Sequence, residues 1–574
     1  MAGGSYFLWS ADAPRPGSIP EEFSEEQRMI ATLTADFVRN EILPLSHDID
    51  AMKPDLMTDL LKKAGELGLL APDVPEGWGG MGLDLCTSLL ITENLGAAAS
   101  FAVTHSDHTA LGILPIVLFG NDEQKARYLP ALATGEKIAA YALTEGNSGS
   151  DARAARTRAT LSQDASHYVL NGAKQFITNA GIADVFVAYA KVDGDKFTAF
   201  LVDKGSAGLS LGAEERKLGI SGSSTRSVVF EDAKVPVENV LFEVGKGHVV
   251  AFNALNIGRL KLAAQCVGAA KAALAHAAKY ALERAQFGQA IARFGMIQDK
   301  LARMATLIYV AESMIYRSAA RIGDAMATNE GASAIAATVA RHAMECSMNK
   351  VFASEALDFV ADETVQVFGG YGYVQEYPAE RIYRDARINR IFAGTNEINR
   401  LRVAEALLAT VREGRKPGEG HDALVAQQIV GPTARFRDSL SEAKAAVLMV
   451  ARMAIGKFGE TMRDQQEISA LIADAAIDVY ALESVLLRAE RAAEAGVAED
   501  GSPCVAMMRS FANDVVPRVR GRCIEVLLAV NDAGAPGARV RELDNLLDRP
   551  LENGVEIRRR VAADVLGAGG YPLV

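Results

Sequence analysis

Residues 138–242 change texture in a chain otherwise rich in Ala, Leu and Glu. Short Val/Tyr/Phe/Thr runs fill "HYVLNGAKQFITNAGIADVFVAYAKVDGDKFTAFLVDK", broken by Asn-Gly, Asn-Ala-Gly and Asp-Gly. That is a strand-and-turn signature, and it continues through "RSVVFEDAKVPVENVLF". Helical texture lies on both sides, so the block must be a β domain set between helical ones. The class expected is α+β, in the order α, β, α, linker, α.

The flanks sharpen the boundaries. "FSEEQRMIATLTADFVRNEILPL" places Ser24 and Gln27 at capping-box spacing ahead of apolar residues at helical intervals. A helical domain is expected over 1–137, interrupted by the Gly-rich loop "VPEGWGGMGLD". From "GHVVAFNALNIGRLKLAAQ" onward, long Ala/Leu-rich segments predict an antiparallel four-helix bundle over 243–411. "REGRKPGEGHD" reads as a polar linker over 412–422. Residues 423–574 read as a helical extension, with "SEAKAAVLMVARMAIGKF" and "AIDVYALESVLLRAERAAEA" as its clearest helices.

Bulk properties narrow the function. At 574 residues and 49% hydrophobic, the chain can bury several cores. Sixty basic against 72 acidic residues give a net charge of −12, the wrong sign for a nucleic-acid surface. Five scattered cysteines form neither a CxxC nor a metal spacing, and a reducing, cytoplasmic setting is expected. His105 and His108 in "THSDH" could share a helix face, but core histidines explain the pair better than a metal does. The N-terminus lacks a basic segment followed by an apolar one, so no secretory signal is expected. No apolar run reaches the roughly 18 residues a membrane span needs.

Four segments carry more Gly, Ser/Thr, Arg and aromatic residues than structure alone requires. "YALTEGNSGSDARA" has glycines that let a ligand approach the backbone, and hydroxyls and amides that donate to a ring edge or phosphate. "KQFITNAG" offers Phe176 as a flat face and Thr178 as a hydroxyl. "LERAQFGQAI" ends a long helix with Arg284 and Gln286, able to hold a pyrophosphate. The fourth, "QVFGGYGYVQEYPAERIYRDARINRIFAGTNEI", joins a Gly369-Gly370 platform to a basic stripe of Arg381, Arg384, Arg387 and Arg390. Taken singly, each is also what an ordinary loop, strand or solvated helix looks like, the arginines being balanced by acids such as Glu380 and Asp385.

Together these segments resemble the acyl-CoA dehydrogenase family. "ALTEGNSGSDARA" is similar to that family's first signature. "QVFGGYGYVQEYPAERIYRD" is similar to its second, with Gln366, Gly369, Gly370, Gly372, Glu376, Arg381 and Asp385 in place. The blocks match in order and spacing over residues 24–411, and the extension resembles the very-long-chain branch. The resemblance implies FAD between the β domain and the bundle. Tyr141, Leu143, Thr144, Gly149 and Ser150 would line the flavin or thioester pocket, and Phe176 and Thr178 would meet the isoalloxazine. Arg284, Gln286, Phe287 and Gln298, with Gln366, Gly369 and Gly370, would reach the FAD diphosphate and adenine across a homodimer interface. Thr395 and Glu397 would complete the FAD site, and Ser150, Arg259, Phe392 and Gly394 would adjoin the acyl-CoA. The implied reaction removes an α-proton and passes the β-hydride to flavin N5, with an electron-transferring flavoprotein as acceptor. Peripheral membrane contact through the extension would follow from the same branch.

One position breaks the pattern. Most members carry the proton-abstracting glutamate in an "EGT" turn, and this chain has "AGT", with Ala393 at the site of the base. A minority carry it on the helix reading "NALNIGRL", where this chain has Gly258. The main-chain N–H of Ala393 could still polarise a thioester carbonyl. Dehydrogenation is expected to be impaired, because a positioned base supplies roughly 10²–10⁴-fold. Three readings stay open at this point. The alanine is a substitution in an ordinary dehydrogenase that traps substrate unreacted. Alternatively, the enzyme performs flavin chemistry needing no base, such as elimination of a β-substituent (desulfination, for example) or an oxygen-using step. In the third, the chain is a non-catalytic binding or assembly homologue.

Overall fold

The computed structural model describes residues 6–9, 19–329, 331–413, 433–531, 536–547 and 552–573. All but the first few residues of the expected linker lie outside these. The N-terminal helices are α1 (Glu25–Phe37), α2 (Leu56–Glu66), α3 (Leu85–Leu95), α4 (Ala99–Ser106) and α5 (Asp122–Ala133). The capping box forms at α1: Ser24 Oγ accepts from Gln27 N at 3.1 Å and Gln27 Oε1 accepts from Ser24 N at 3.0 Å. Helix α4 runs on through a π-helical stretch, Asp107–Ile113, into a further turn, Leu114–Phe119.

Eight strands form the next layer: β1 (Ala139–Ala142), β2 (Arg158–Leu161), β3 (His167–Thr178), β4 (Val185–Val192), β5 (Lys196–Asp203), β6 (Leu209–Leu211), β7 (Thr225–Pro236) and β8 (Val240–Leu241). Their order is β6-β7-β3-β2-β4-β5-β8, and β1 pairs parallel to β4. Period-two alternation decides which face goes where. Val185, Val187 and Tyr189 of β4 enter the core shared with the helices, whereas Phe186, Ala188 and Ala190 fill a core private to the sheet. Asp193 (φ 49°) and Gly194 (φ 90°) make the tight turn expected between β4 and β5.

Asn171-Gly172 is a correction, because it makes no turn. Strand β3 runs straight through it, with a register shift between Leu170 and Gly172. A Cβ at Gly172 would lie 2.5 Å from Thr157 Oγ1, so the glycine admits the neighbouring strand rather than reversing the chain.

The bundle consists of α6 (Gly247–Glu283), α7 (Gly295–Ala327), α8 (Ala343–Phe368) and α9 (Asn396–Arg412). Helix α6 is its axis and is buried on most faces. At Gly268 a Cβ would stand 1.7 Å from Glu93 O, so only glycine lets α3 cross there. The extension adds α10 (Ala434–Phe458), α11 (Gln466–Glu494), α12 (Pro503–Val530) and α13 (Gly554–Ala568), with a shorter helix at Pro536–Leu547.

Buried ion pairs fasten the extension to the rest. Arg317 of α7 bonds Glu483 of α11, which also receives Lys444 of α10 at 2.5 Å. Arg488 of α11 bonds Glu312 of α7 at 2.6 Å and Glu21 at 2.8 Å, while Lys271 of α6 joins Glu312 to Glu93 of α3. Burial opposes charge on Glu312, but Lys271 and Arg488 outweigh it and hold its carboxyl at about 2. Among the described residues no helix is long and apolar enough to cross a membrane.

Candidate active site

The 393–396 turn is built from two consecutive left-handed residues followed by a cap. Ala393 has φ 53° and Gly394 φ 85°. The first is costly for a residue with a Cβ, by about 1–2 kcal/mol. Thr395 then caps α9, its Oγ1 accepting from Ile398 N at 3.2 Å. Glu397 sits in the first turn, where its own backbone N–H and the Thr395 hydroxyl hold its carboxyl low.

Surrounding side chains hold the turn by its carbonyls. Arg259 Nε donates to Ala393 O at 2.9 Å, Lys350 Nζ to Gly394 O at 2.9 Å, and Asn399 Nδ2 to Gly394 O at 2.8 Å. Lys350 also donates to Asn396 Oδ1 at 2.7 Å. Both cations are buried. Burial, reinforced by the Arg259 charge, brings the Lys350 ammonium down to about 7. Burial, with Arg402 adding to it, brings Arg259 to about 10. Among the described residues the N–H of Ala393 donates to no protein acceptor. The turn is therefore a rigid backbone loop with its carbonyls occupied and an N–H free.

The first two sequence segments lie together on the sheet. Gln175 N donates to Thr144 O at 2.9 Å, and Lys174 Nζ reaches Leu143 O at 3.3 Å and Glu145 Oε1 at 2.7 Å. Glu145 also accepts from Arg156 N at 2.5 Å and Thr157 Oγ1 at 2.5 Å. This buried pair fixes the loop, so that Gly149 and Ser150 are exposed with open space at the Gly149 Cβ position. Phe176 stands at φ 59°, more than half exposed, with Thr178 at the end of β3. Tyr141 is buried, and its hydroxyl bonds Ala251 O of α6 at 3.3 Å, tying the sheet to the bundle two turns from Arg259.

The third and fourth segments meet at an exposed end of the bundle. Tyr280 stacks on Phe368 at 4.2 Å, and the Arg284 guanidinium lies 5.6 Å from the Tyr371 ring. Gln286 is exposed in a two-residue hairpin, and Phe287, at φ 51°, is 93% exposed. Gln366, Gly369 and Gly370 are exposed beside it, and Gln298 Nε2 donates to Ala292 O at 3.0 Å. Phe392 is half buried against the main core. Three residues with a Cβ and positive φ, namely Phe176, Phe287 and Ala393, are thus among the predicted site residues. Such strain collects at functional sites.

The basic stripe is mostly paired. Arg384 bonds Glu380 at 2.6 Å and Arg390 bonds Asp358 at 2.8 Å, while Arg381 lies 3.9 Å from Asp50. Asp385 instead accepts from Ile220 N at 2.5 Å, and burial raises its carboxyl to about 6. His105 and His108 are core histidines, bonded to Leu69 O at 2.7 Å and Leu132 O at 3.0 Å. No metal-binding cluster occurs among the described residues.

Sequence reasoning missed Lys350, Asn396 and Asn399, which hold the turn, and the Glu145–Lys174 pair. It also missed Asp107, a carboxyl in the π-helical stretch. Burial raises it well above the carboxylate range, the Tyr141 N–H only partly opposing, and one of its oxygens has no partner among the described residues. Lys350 and Asp107 sit inside helices with no local pattern to mark them.

A central sheet between helical layers, with a strained turn whose Ala393 N–H has no protein acceptor among the described residues, frames the candidate site. Comparison with known sequences identifies the family. The chain matches the acyl-CoA dehydrogenase N-terminal domain over residues 24–136, the middle domain over 140–233, and the C-terminal domain over 245–408 and 442–536. It is 45% identical to a probable acyl-CoA dehydrogenase of Bacillus subtilis over 96% of this chain and 95% of that one. It is 35% identical to the human mitochondrial very long-chain specific acyl-CoA dehydrogenase over 84% of this chain and 77% of that one. Among solved structures, an acyl-CoA dehydrogenase from Bacillus anthracis complexed with FAD superposes with a TM-score of 0.94, covering all of both chains at 45% identity. The chain belongs to the acyl-CoA dehydrogenase family, a family of FAD-dependent flavoprotein oxidoreductases.

Proposed function

We propose that the protein binds FAD between the β domain and the bundle and acts on a fatty acyl-CoA thioester. In this reading the Ala393 N–H donates to the thioester carbonyl, and α,β-dehydrogenation is slow because position 393 carries no carboxylate. The observation that carries this is the turn itself: Arg259, Lys350 and Asn399 occupy its carbonyls and leave the Ala393 N–H unpaired. A preorganised donor of this kind stabilises charge developing on a carbonyl oxygen.

The residues present fit FAD. Phe176 offers an exposed ring next to Thr178, and the open space at Gly149, Gly369 and Gly370 would be narrowed by any Cβ. Leu143, Thr144 and Ser150 would line the ring pocket beside Tyr141, and Thr395 and Glu397 would close it from α9. The cofactor supplies the hydride acceptor when bound. Arg284, Gln286, Phe287 and Gln298, with Gln366, would hold the diphosphate and adenine of a second copy's FAD. The 93% exposure of Phe287 supports this, since so large an apolar ring is otherwise left in water. Phe392 and Gly394 would adjoin the thioester, Arg259 bracing them from below. The very long-chain relatives favour a role in fatty acid β-oxidation, with an electron-transferring flavoprotein as acceptor.

Ala393→Glu tests the reading. The variant should bleach the flavin with a fatty acyl-CoA roughly 10²–10⁴-fold faster than the unaltered chain. A glutamate variant that stays oxidised with short, medium and long chains alike would overturn it. Equal bleaching by the unaltered chain would show that another group removes the proton.

A further inference from the structure

The groups beneath the 393–396 turn continue into the extension. Asn396 Nδ2 donates to Ser354 Oγ at 3.0 Å and to Glu355 Oε1 at 3.0 Å. Glu355 takes a two-bond fork from Arg400, at 2.8 and 2.9 Å. The third nitrogen of that guanidinium, Nε, donates to Asp474 Oδ1 at 2.7 Å. Asp474 belongs to α11. Its own carbonyl accepts from Arg522 of α12 at 2.9 Å, and Arg522 also bonds Asp478, which Arg518 grips at 2.8 Å through each oxygen. Glu355, Arg400, Asp474, Asp478, Arg518 and Arg522 wall a cavity of about 280 Å³ between bundle and extension. The hydroxyls of Thr306 and Ser510, which also line it, are buried without partners among the described residues.

We propose that Asp474 is a positioning residue: through Arg400, Glu355 and Asn396 the extension sets the 393–396 turn and so the N–H that would meet the thioester. The proposal rests on the function inferred above for that turn. The geometry carries it. Arg400 bonds Glu355 in a fork that fixes direction as well as distance, and Asp474 is what fixes the guanidinium plane from the third side. Asn396 follows the cap residue Thr395 directly, so a shift of Glu355 moves the turn backbone. Docking of the extension has separate fasteners in Arg317–Glu483–Lys444 and Arg488–Glu312. Loss of Asp474 should therefore loosen the turn while the extension stays in place.

The test uses Asp474→Asn in the full chain beside Val447→Ala, a core truncation on α10 outside this chain of groups. Hydrogen–deuterium exchange of the segment 391–400 is one readout. The other is kcat and KM for flavin bleaching in the Ala393→Glu background. Asp474→Asn should speed exchange of that segment and lower kcat about tenfold with KM within about twofold, because small misplacement of a reacting geometry is costly. Val447→Ala should lower Tm and leave exchange of the segment at the parent rate. Unchanged exchange in Asp474→Asn, equal acceleration by Val447→Ala, or faster exchange with kcat unaltered each overturns the proposal. A silent Ala393→Glu parent overturns the functional reading alone, and the exchange arm then decides this one.

Discussion

Ala393 sits where glycine would be more comfortable. Its φ of 53° is imposed by Arg259 and the bonds on Gly394 rather than chosen by the residue. Ala393→Gly should therefore leave stability unchanged or raise it by about 1 kcal/mol, read as the urea midpoint at constant slope, since glycine removes the left-handed penalty at some entropic cost. A loss above about 1 kcal/mol would mean the alanine methyl is well packed and the turn is not strained. The residue identities of this turn could be read from the sequence, because Gly-Thr-Asn after an apolar pair is local chemistry. What holds it could not: Arg259, Lys350 and the turn are brought together only by the packing of α6 and α8 on α9.

At the scale of elements, the Ala99–Phe119 segment shows how a helix can store pH sensitivity. Burial lowers His105 to about 3 and His108 to about 4, against an ordinary value of 6.5. The unfolded chain takes up these two protons below pH 6.5 and the native one refuses them. Stability is thus fully present above pH 6.5 and declines as pH falls from there toward about 4, by up to about 1.4 kcal/mol per pH unit for each ring. Replacing His105 with Gln should flatten the fall of the urea midpoint between pH 7 and 5. A slope identical to the parent's would show the ring is not buried neutral. The capping box at Ser24, the turn at Asp193-Gly194 and the α–β–α texture were legible because each is written in neighbouring residues. Asn171-Gly172 misled because the same dipeptide suits a hairpin turn and a bulge, and only Thr157, just ahead of β2, distinguishes them. The basic stripe from Arg381 to Arg390 misled less: Glu380 balances Arg384 as expected, whereas Asp385 turns to Ile220 N and Arg390 finds Asp358, an acid on α8 that nothing local announces.

Across the whole molecule, buried charges join parts far apart in sequence. Glu21, Glu93, Lys271, Glu312 and Arg488 form one cluster that spans the N-terminal domain, the bundle and the extension, and the Tyr571 hydroxyl adds a bond to Glu312 at 2.9 Å. Arg488→Met should cost roughly 3–5 kcal/mol, because it leaves buried carboxylates with fewer partners. Pairing it with Glu312→Gln should recover part of that loss in a thermal melt. Equal destabilisation by single and double variants would show that packing, not charge, holds the junction. None of this cluster was visible in the sequence, where the five residues are spread over more than 460 positions.

The same cluster constrains how such a chain can change over generations. A shorter descendant that sheds its tail loses Arg488 and uncovers the face of α7 that α11 packs against, so Glu312 is left with Lys271, which it shares with Glu93, and with water. The tail and the acid it covers are thus a matched pair, and a change on either side of that junction is felt on the other.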